Sequence, residues 1–167
     1  MTVDPPFVTL RVMTDVEFAD FLELSARDYI AELVQSGVVA DHDEAVARAT
    51  RDIADVRSDG PDGERNQVFA VLDAGGDIIG ALWLGARDGW ARTWIYDIRV
   101  DPAYQGRGLG RATLVAAEQC ARELGAAAIG LHVFADNTIA RSLYASSGYL
   151  VTEELPTDLV MWKDLAP

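Results

Sequence analysis

The chain is almost free of cysteine. Among its 167 residues there is one, Cys120. No disulfide can form within the chain, and a thiolate metal site has no basis. Cys120 falls in the helix-compatible stretch Ala116–Ala121, where a thiol packs as a small hydrophobe. Long apolar runs are also absent. None reaches the roughly 18 residues of a membrane span, and residues 1–7 lack a leader pattern, so the expected location is the cytoplasm. Positive charge is scarce: 14 Lys and Arg stand against 27 Asp and Glu, a net charge of −13. A surface that acidic repels nucleic acid. It suits a cationic partner such as an amine, although a generally soluble acidic surface is the plainer account. The remaining composition, 50% hydrophobic and 25% charged, is that of a globular protein. The length fits one core, so 1–167 reads as a single domain.

The most informative segment runs from Val100 to Arg111. A strand-like run, Ile95 to Val100, stops at Pro102. Glycines follow at 106, 108 and 110, and a helix-compatible segment begins there. A strand, a glycine-rich bend and a helix start, in that order, build a phosphate cradle. The glycines admit close backbone approach, and the first helical N–H groups have no partner within the helix. Arg107 and Arg111 add charge at the rim. Two other phosphate motifs do not fit. The dinucleotide fingerprint needs Gly or Ala at 111, where Arg stands. A P-loop needs four residues between its glycines and then Lys-Ser/Thr, and both are missing. An unliganded glycine-rich helix cap is the bland alternative.

Along the chain, Val8–Val12 reads as a short strand. Thr14–Glu17 and Asp41–Glu44 are capping boxes opening two helices, the first ending at Ser36-Gly37. Residues Ser58 to Asn66, rich in Gly, Pro and Asp, predict a mobile loop. Val68–Leu72 and Ile78–Leu84 flank the turn 73–77 as a hairpin, and Trp94–Val100 adds a third, antiparallel strand. A helix from about Gly108 to Leu124 is closed by Gly125. Ala128–Phe134 is strand-like, Asn137–Ser147 helical, and Val151–Glu154 with Leu159–Lys163 a last strand pair. This order lacks the regular alternation of a doubly wound sheet.

The loop Gln105-Gly106-Arg107-Gly108-Leu109-Gly110 resembles the pyrophosphate loop of the GCN5-related N-acetyltransferases, Gln/Arg-x-x-Gly-x-Gly/Ala. A second stretch, Asn137-Thr138-Ile139-Ala140-Arg141-Ser142-Leu143-Tyr144 with Gly148-Tyr149, resembles that family's N-x-x-A-x-x-L-Y-x-x-x-G-F/Y pattern. The specific resemblance spans about 66–163, the acetyl-CoA-binding core. Residues 1–65 match in layout, as an acceptor-side strand and two helices. The resemblance implies the α/β (α+β) acyl-CoA N-acyltransferase fold: a mixed, twisted sheet with splayed parallel central strands and helices on both faces. It implies acetyl-CoA as cosubstrate, no metal, and direct transfer to an amine of a small molecule or peptide. A non-catalytic acyl-CoA sensor on the same fold is the alternative. Homodimerisation is left open.

By the same resemblance, Ile98-Arg99-Val100 lends backbone groups to the thioester and pantetheine, and Gln105, Gly106, Arg107, Gly108, Leu109, Gly110 and Arg111 hold the diphosphate. Asn137 bonds the pantetheine, with a plain helix cap as its alternative. Tyr144 protonates the departing thiolate. The two lie seven residues apart on one helix face, about 10 Å along the axis. An amine must lose a proton before attack, and His132 or Asp97 could take it. For His132 the plain alternative is a satisfied polar residue on a sheet face. For Asp97 it is a partner for a nearby Arg. Trp94 and Tyr96 alternate with Asp97 along the strand, a pattern that lines an acceptor cleft or simply packs.

Overall fold

The computed structural model describes residues 6–165. It opens on β1 (Thr9–Val12) and α1 (Asp15–Ser36). The Thr14 box forms on both sides: Thr14 Oγ1 accepts from the Glu17 N–H at 3.3 Å, and Glu17 Oε2 accepts from the Thr14 N–H at 2.8 Å. Helix α2 (His42–Asp59) follows. Its box is offset by one residue. Asp41 Oδ1 accepts from Glu44, but the Glu44 carboxylate accepts from the Ala40 N–H, at 2.7 Å, instead of from Asp41. Helix α2 also runs past Ser58. The Asp59 carboxylate then accepts from the Arg65 N–H and Asn66 Nδ2, both at 3.0 Å. The connection 60–65 is therefore tied to the helix end, contrary to the loose loop its composition predicts.

The rest of the chain supplies β2 (Asn66–Leu72), β3 (Ile78–Arg87), β4 (Arg92–Val100), a 3₁₀ turn (Pro102–Tyr104) and α3 (Leu109–Glu123). After them come β5 (Ala128–Phe134), α4 (Thr138–Ser146), β6 (Leu150–Glu154) and β7 (Asp158–Asp164). The seven strands form one sheet in the order β1-β2-β3-β4-β5-β7-β6. Only β4 and β5 run parallel. Helices cover both faces. Phe18, Phe21 and Leu22 of α1 and Ile53 of α2 pack with Val68 and Ala81 on one face. Leu114, Ala117 and Ala121 of α3, with Tyr144 of α4, pack with Leu82, Leu84 and Leu131 on the other. Lys163 Nζ of β7 donates to the buried Glu118 Oε2 of α3 at 2.7 Å, fixing that helix across the sheet.

Two irregularities shape the centre of the sheet. The β4–β5 ladder stops at Ile95↔Leu131. Beyond it, β4 stays with β3 as far as Val100↔Gly80, and β5 stays with β7 as far as Phe134↔Asp158. The two parallel strands therefore part, as the family resemblance implies. The second irregularity is a bulge. Trp83 pairs with Asp97 while Leu84 pairs with Ile95, leaving Tyr96 as one extra residue on β4. An inserted residue reverses the alternation beyond it. Asp97 therefore shares the α1/α2 face with Trp94 and Tyr96, which corrects the alternation read from the sequence. Gly85 is required here: a Cβ on it would lie 2.2 Å from the Tyr96 ring.

Candidate active site

The parted strands leave backbone groups facing an open gap. The Asp101 N–H donates to the Ile79 carbonyl at 2.8 Å. Antiparallel partners bond at alternate residues, so Asp97 and Arg99 turn their main-chain groups toward β3, and Ile98 and Val100 turn theirs into the gap. Ile98 with its N–H and C=O, and Val100 with its N–H, accept an amide-bearing ligand as they would a strand, while the Val100 carbonyl already accepts from Gln105 Nε2. Arg99, grouped with them in the sequence reading, does not fit that role. Its main chain faces β3, and its guanidinium crosses to α1. It pairs with Asp97 of its own strand and, on α1, with Asp28 at 3.4 Å.

Below the gap, the loop 105–110 leads into α3. Gly106 and Gly108 take left-handed backbone, with φ of 76° and 78°, which few residues other than glycine adopt. Gly108 is the N-cap, and no side chain caps the helix. The first α3 N–H groups are thus left for an anion. Leu109 is buried in the core and adds only its main chain. The loop's long side chains have local duties. Gln105 Nε2 donates to the Val100 carbonyl at 2.8 Å, and Arg107 donates to the Ala103 carbonyl at 3.1 Å. Arg111 donates to the Ser147 and Ser146 hydroxyls at 3.0 and 2.7 Å, bracing the start of α3 against the end of α4. The cradle is therefore chiefly backbone.

On the other side of the gap stands α4. Asn137 caps it, Oδ1 accepting from the Ala140 N–H at 3.1 Å. The capping role occupies that oxygen and leaves the amide NH₂ as a donor, and Asn137 lines the cleft described next. Tyr144 lies on the same helix, buried to 8% exposure, its ring against Tyr149 with centroids 5.9 Å apart. Burial, with the charge of Asp97 second, pushes its hydroxyl up to about 12. It remains a proton donor through the neutral range.

A cleft of about 750 Å³ runs from Tyr144 along the α1/α2 face of the sheet. His132 lines it, its ring edge-on to Trp94 at 5.0 Å between centroids. Burial lowers the imidazole below its ordinary value, and nearby Arg87 adds to that, while Asp158 opposes. His132 is therefore neutral at neutral pH, as a base must be. Asp97 lines the same cleft but is held by the Arg99 guanidinium. Of the two candidate bases, His132 is the one whose acceptor atom is not taken by an ion pair. Cys120 is no rival as a chemical group, since burial pushes its thiol up to about 11 and keeps it protonated.

Of this cleft's residues, Tyr96 and Tyr29 are within the sequence reading, while Trp83, Ser25, Asp28 and Glu32 escape it. Trp83 and Tyr96 stack with centroids 4.9 Å apart. The Trp83 indole donates to Asn66 Oδ1 at 2.7 Å. Helix α1 contributes Ser25, Asp28, Tyr29 and Glu32. Their spacing of three, four and seven marks one polar face, a signal the sequence does contain. Among the described residues no group of three or more His, Cys, Asp or Glu side chains could hold a metal, and no helix is long and apolar enough to cross a membrane.

A strand gap, a backbone anion cradle and a buried tyrosine beside an open cleft define an acyl-CoA-dependent transferase site. The acetyltransferase (GNAT) family model matches residues 20–149, and the chain belongs to that family. It is 30% identical over 160 residues to the uncharacterised N-acetyltransferase YycN of Bacillus subtilis (strain 168), covering 95% of this chain and 99% of that protein. It is 32% identical over 146 residues to a mycothiol acetyltransferase of Clavibacter sepedonicus, covering 87% of this chain and 43% of that longer protein. The YycN crystal structure superposes with a TM-score of 0.76 at 27% identity, over 90% of this chain and 96% of that one. The fold is also that of the PaiA N-acetyltransferase of Thermoplasma acidophilum crystallised with coenzyme A, with a TM-score of 0.64 at 15% identity, covering 94% and 98%.

Proposed function

We propose that this protein moves the acetyl group of acetyl-CoA directly to a primary amine of a small molecule. The observation that carries this reading is the gap between β4 and β5, with a backbone anion cradle at one end and the Tyr144 hydroxyl at the other. The pantetheine amides pair with the main chain of Ile98 and Val100, and the Asn137 NH₂ adds a donor. The diphosphate rests on the N–H groups of the loop and of α3. The amine enters along the α1/α2 face and attacks the thioester carbonyl. Its proton passes to His132, the carbon–sulfur bond breaks, and Tyr144 gives its proton to the departing sulfur. No acyl-enzyme is formed, and the chain needs no activated nucleophile of its own. The test is thiol release from acetyl-CoA against a panel of amines, with the N-acetyl product identified by mass. Tight coenzyme A binding with no thiol release from any amine points instead to a sensor.

His132 makes a pH prediction. A base works only when deprotonated, and burial holds its imidazole below the ordinary 6.5. With saturating amine, turnover should therefore rise with pH through a midpoint below 6.5 and level off above it. His132→Gln should abolish that limb. An unchanged acidic limb in the variant would move the base elsewhere.

A further inference from the structure

We infer that the acceptor is a small amino carboxylate, its amine one or two carbons from the carboxylate carbon, and that Arg87 of β3 holds the carboxylate. The inference rests on the transfer reading above and concerns the acceptor end of the same cleft.

Two guanidiniums stand together where β3 turns back into β4. Arg87 and Arg92 are direct cross-strand partners, so their side chains share one face of the sheet. Each guanidinium lies on an indole: Arg87 over Trp94 and Arg92 over Trp162, both 4.1 Å from the ring centroid. The two indoles are themselves in contact, with centroids 5.3 Å apart. Gly130 makes room for that contact, since a Cβ there would lie 2.6 Å from the Trp162 ring. Like charges placed directly opposite one another on a sheet are destabilising. The chain has acids to spare, 27 against 14 bases. Yet neither Arg87 nor Arg92 has an ion pair among the described residues. Arg99, in the same cleft, is by contrast held by both Asp97 and Asp28. Stacking fixes the guanidinium planes and leaves their N–H edges open, and both side chains are exposed. A fixed, exposed guanidinium edge is suited to grip a carboxylate through two parallel bonds.

The position of this pair relative to the chemistry is set by Trp94. Arg87 lines the cleft and Arg92 does not, so Arg87 makes the contact and Arg92 adds positive field behind it. Trp94 carries Arg87 at 4.1 Å and meets the His132 ring edge-on at 5.0 Å. The guanidinium and the imidazole can stand no further apart than these two distances together. Polar contacts of about 3 Å at each end leave space for only a short link between carboxylate and amine. An α- or β-amino acid meets that limit, and a long ω-amino acid does not. With its carboxylate on Arg87, such an acceptor presents its amine to His132, the group that takes the proton. The charge of Arg87 does reach the imidazole, which it helps to lower. Two residues along β4, the half-exposed Tyr96 ring, stacked on Trp83 at 4.9 Å, offers apolar surface to the acceptor's side chain.

The experiment measures thiol release from acetyl-CoA with matched acceptors: the amino acid, its amide and its decarboxylated amine, for alanine, leucine and phenylalanine. Rates are compared at equal concentrations of free amine. For at least one side chain the amino acid should exceed both its amide and its amine in kcat/KM by at least about tenfold, or about 1.4 kcal/mol. Salt should shrink that advantage by screening. In Arg87→Gln it should fall below about threefold, or about 0.65 kcal/mol, chiefly through KM. Arg87→Lys keeps the charge without the fork and should fall between the two. Melting temperature reports the fold, because Arg87 also covers Trp94. The comparison within the parent protein decides the matter even where a variant fails to fold. Amines as good as their amino acids overturn the inference and leave acetyl transfer standing. So does a preference for the amides, which would assign the cleft to a polypeptide N-terminus. An ω-aminohexanoate that matches the best amino acid overturns the short link, and an advantage that survives in folded Arg87→Gln overturns the assignment to Arg87. Thiol release from none of these acceptors overturns the inference as well, and the wider amine panel then decides the transfer reading separately.

Discussion

Tyr144→Phe is expected to lower turnover about 10²-fold while coenzyme A affinity stays within a few-fold. The two effects separate because the ring and the hydroxyl do different things. The ring packs at 8% exposure against Tyr149, and phenylalanine keeps that contact. The hydroxyl is what the departing sulfur requires. A hundredfold loss is about 2.7 kcal/mol of barrier, of the order of one general acid. Because burial holds the hydroxyl at about 12, no titration of Tyr144 should appear in the rate below pH 10 or so. Rapid-mix turnover and calorimetric affinity measured on one preparation decide the matter. Equal turnover in variant and parent would leave Tyr144 a packing residue only.

Gly108→Val should weaken coenzyme A binding at least tenfold, about 1.4 kcal/mol. At a φ of 78° a β-branched residue is strained, so the loop must reshape. A Cβ there would also lie 3.1 Å from the Pro6 ring. Loop strain alone would lower the melting temperature, so a companion variant is needed. Gly110→Val serves. A Cβ at Gly110 meets nothing closer than Leu143, at 3.7 Å, so the fold tolerates it while the diphosphate approach does not. Both variants should lose affinity, and Gly110→Val should keep its melting temperature near the parent's. Full affinity in Gly110→Val with an intact fold would remove the diphosphate from this loop.

The parts of the molecule legible in the sequence are those fixed by local chemistry. Gly37, Gly108, Gly125 and Gly148 all have positive φ, and each stands where its sequence neighbours ask a helix to start or stop. The Thr14 box needed only residues three apart. The parting of β4 from β5 was legible through resemblance, since the unpaired residues Ile98 and Val100 look like any strand. The parts not legible depend on pairings across long stretches of chain. Arg99 reaches Asp28, 71 residues away, and Arg111 reaches Ser147, 36 away. Neither pairing leaves a local pattern, and both draw a charged side chain away from the ligand it would be expected to hold. The bulge at Tyr96 is invisible for a related reason. It depends on what β3 places opposite, above all the missing side chain of Gly85.

The parted strands have a thermodynamic side as well. Two lengths of extended backbone with unpaired groups, inside a sheet and not at its rim, form an internal edge. Such an edge is a template for unwanted strand pairing and a place where the fold can begin to open. A cosubstrate that fills it binds the folded chain and not the unfolded one. At a hundred times its dissociation constant it adds about 2.7 kcal/mol to stability. On this reading the donor is a brace for the sheet as well as a reactant, and its addition should raise the melting temperature.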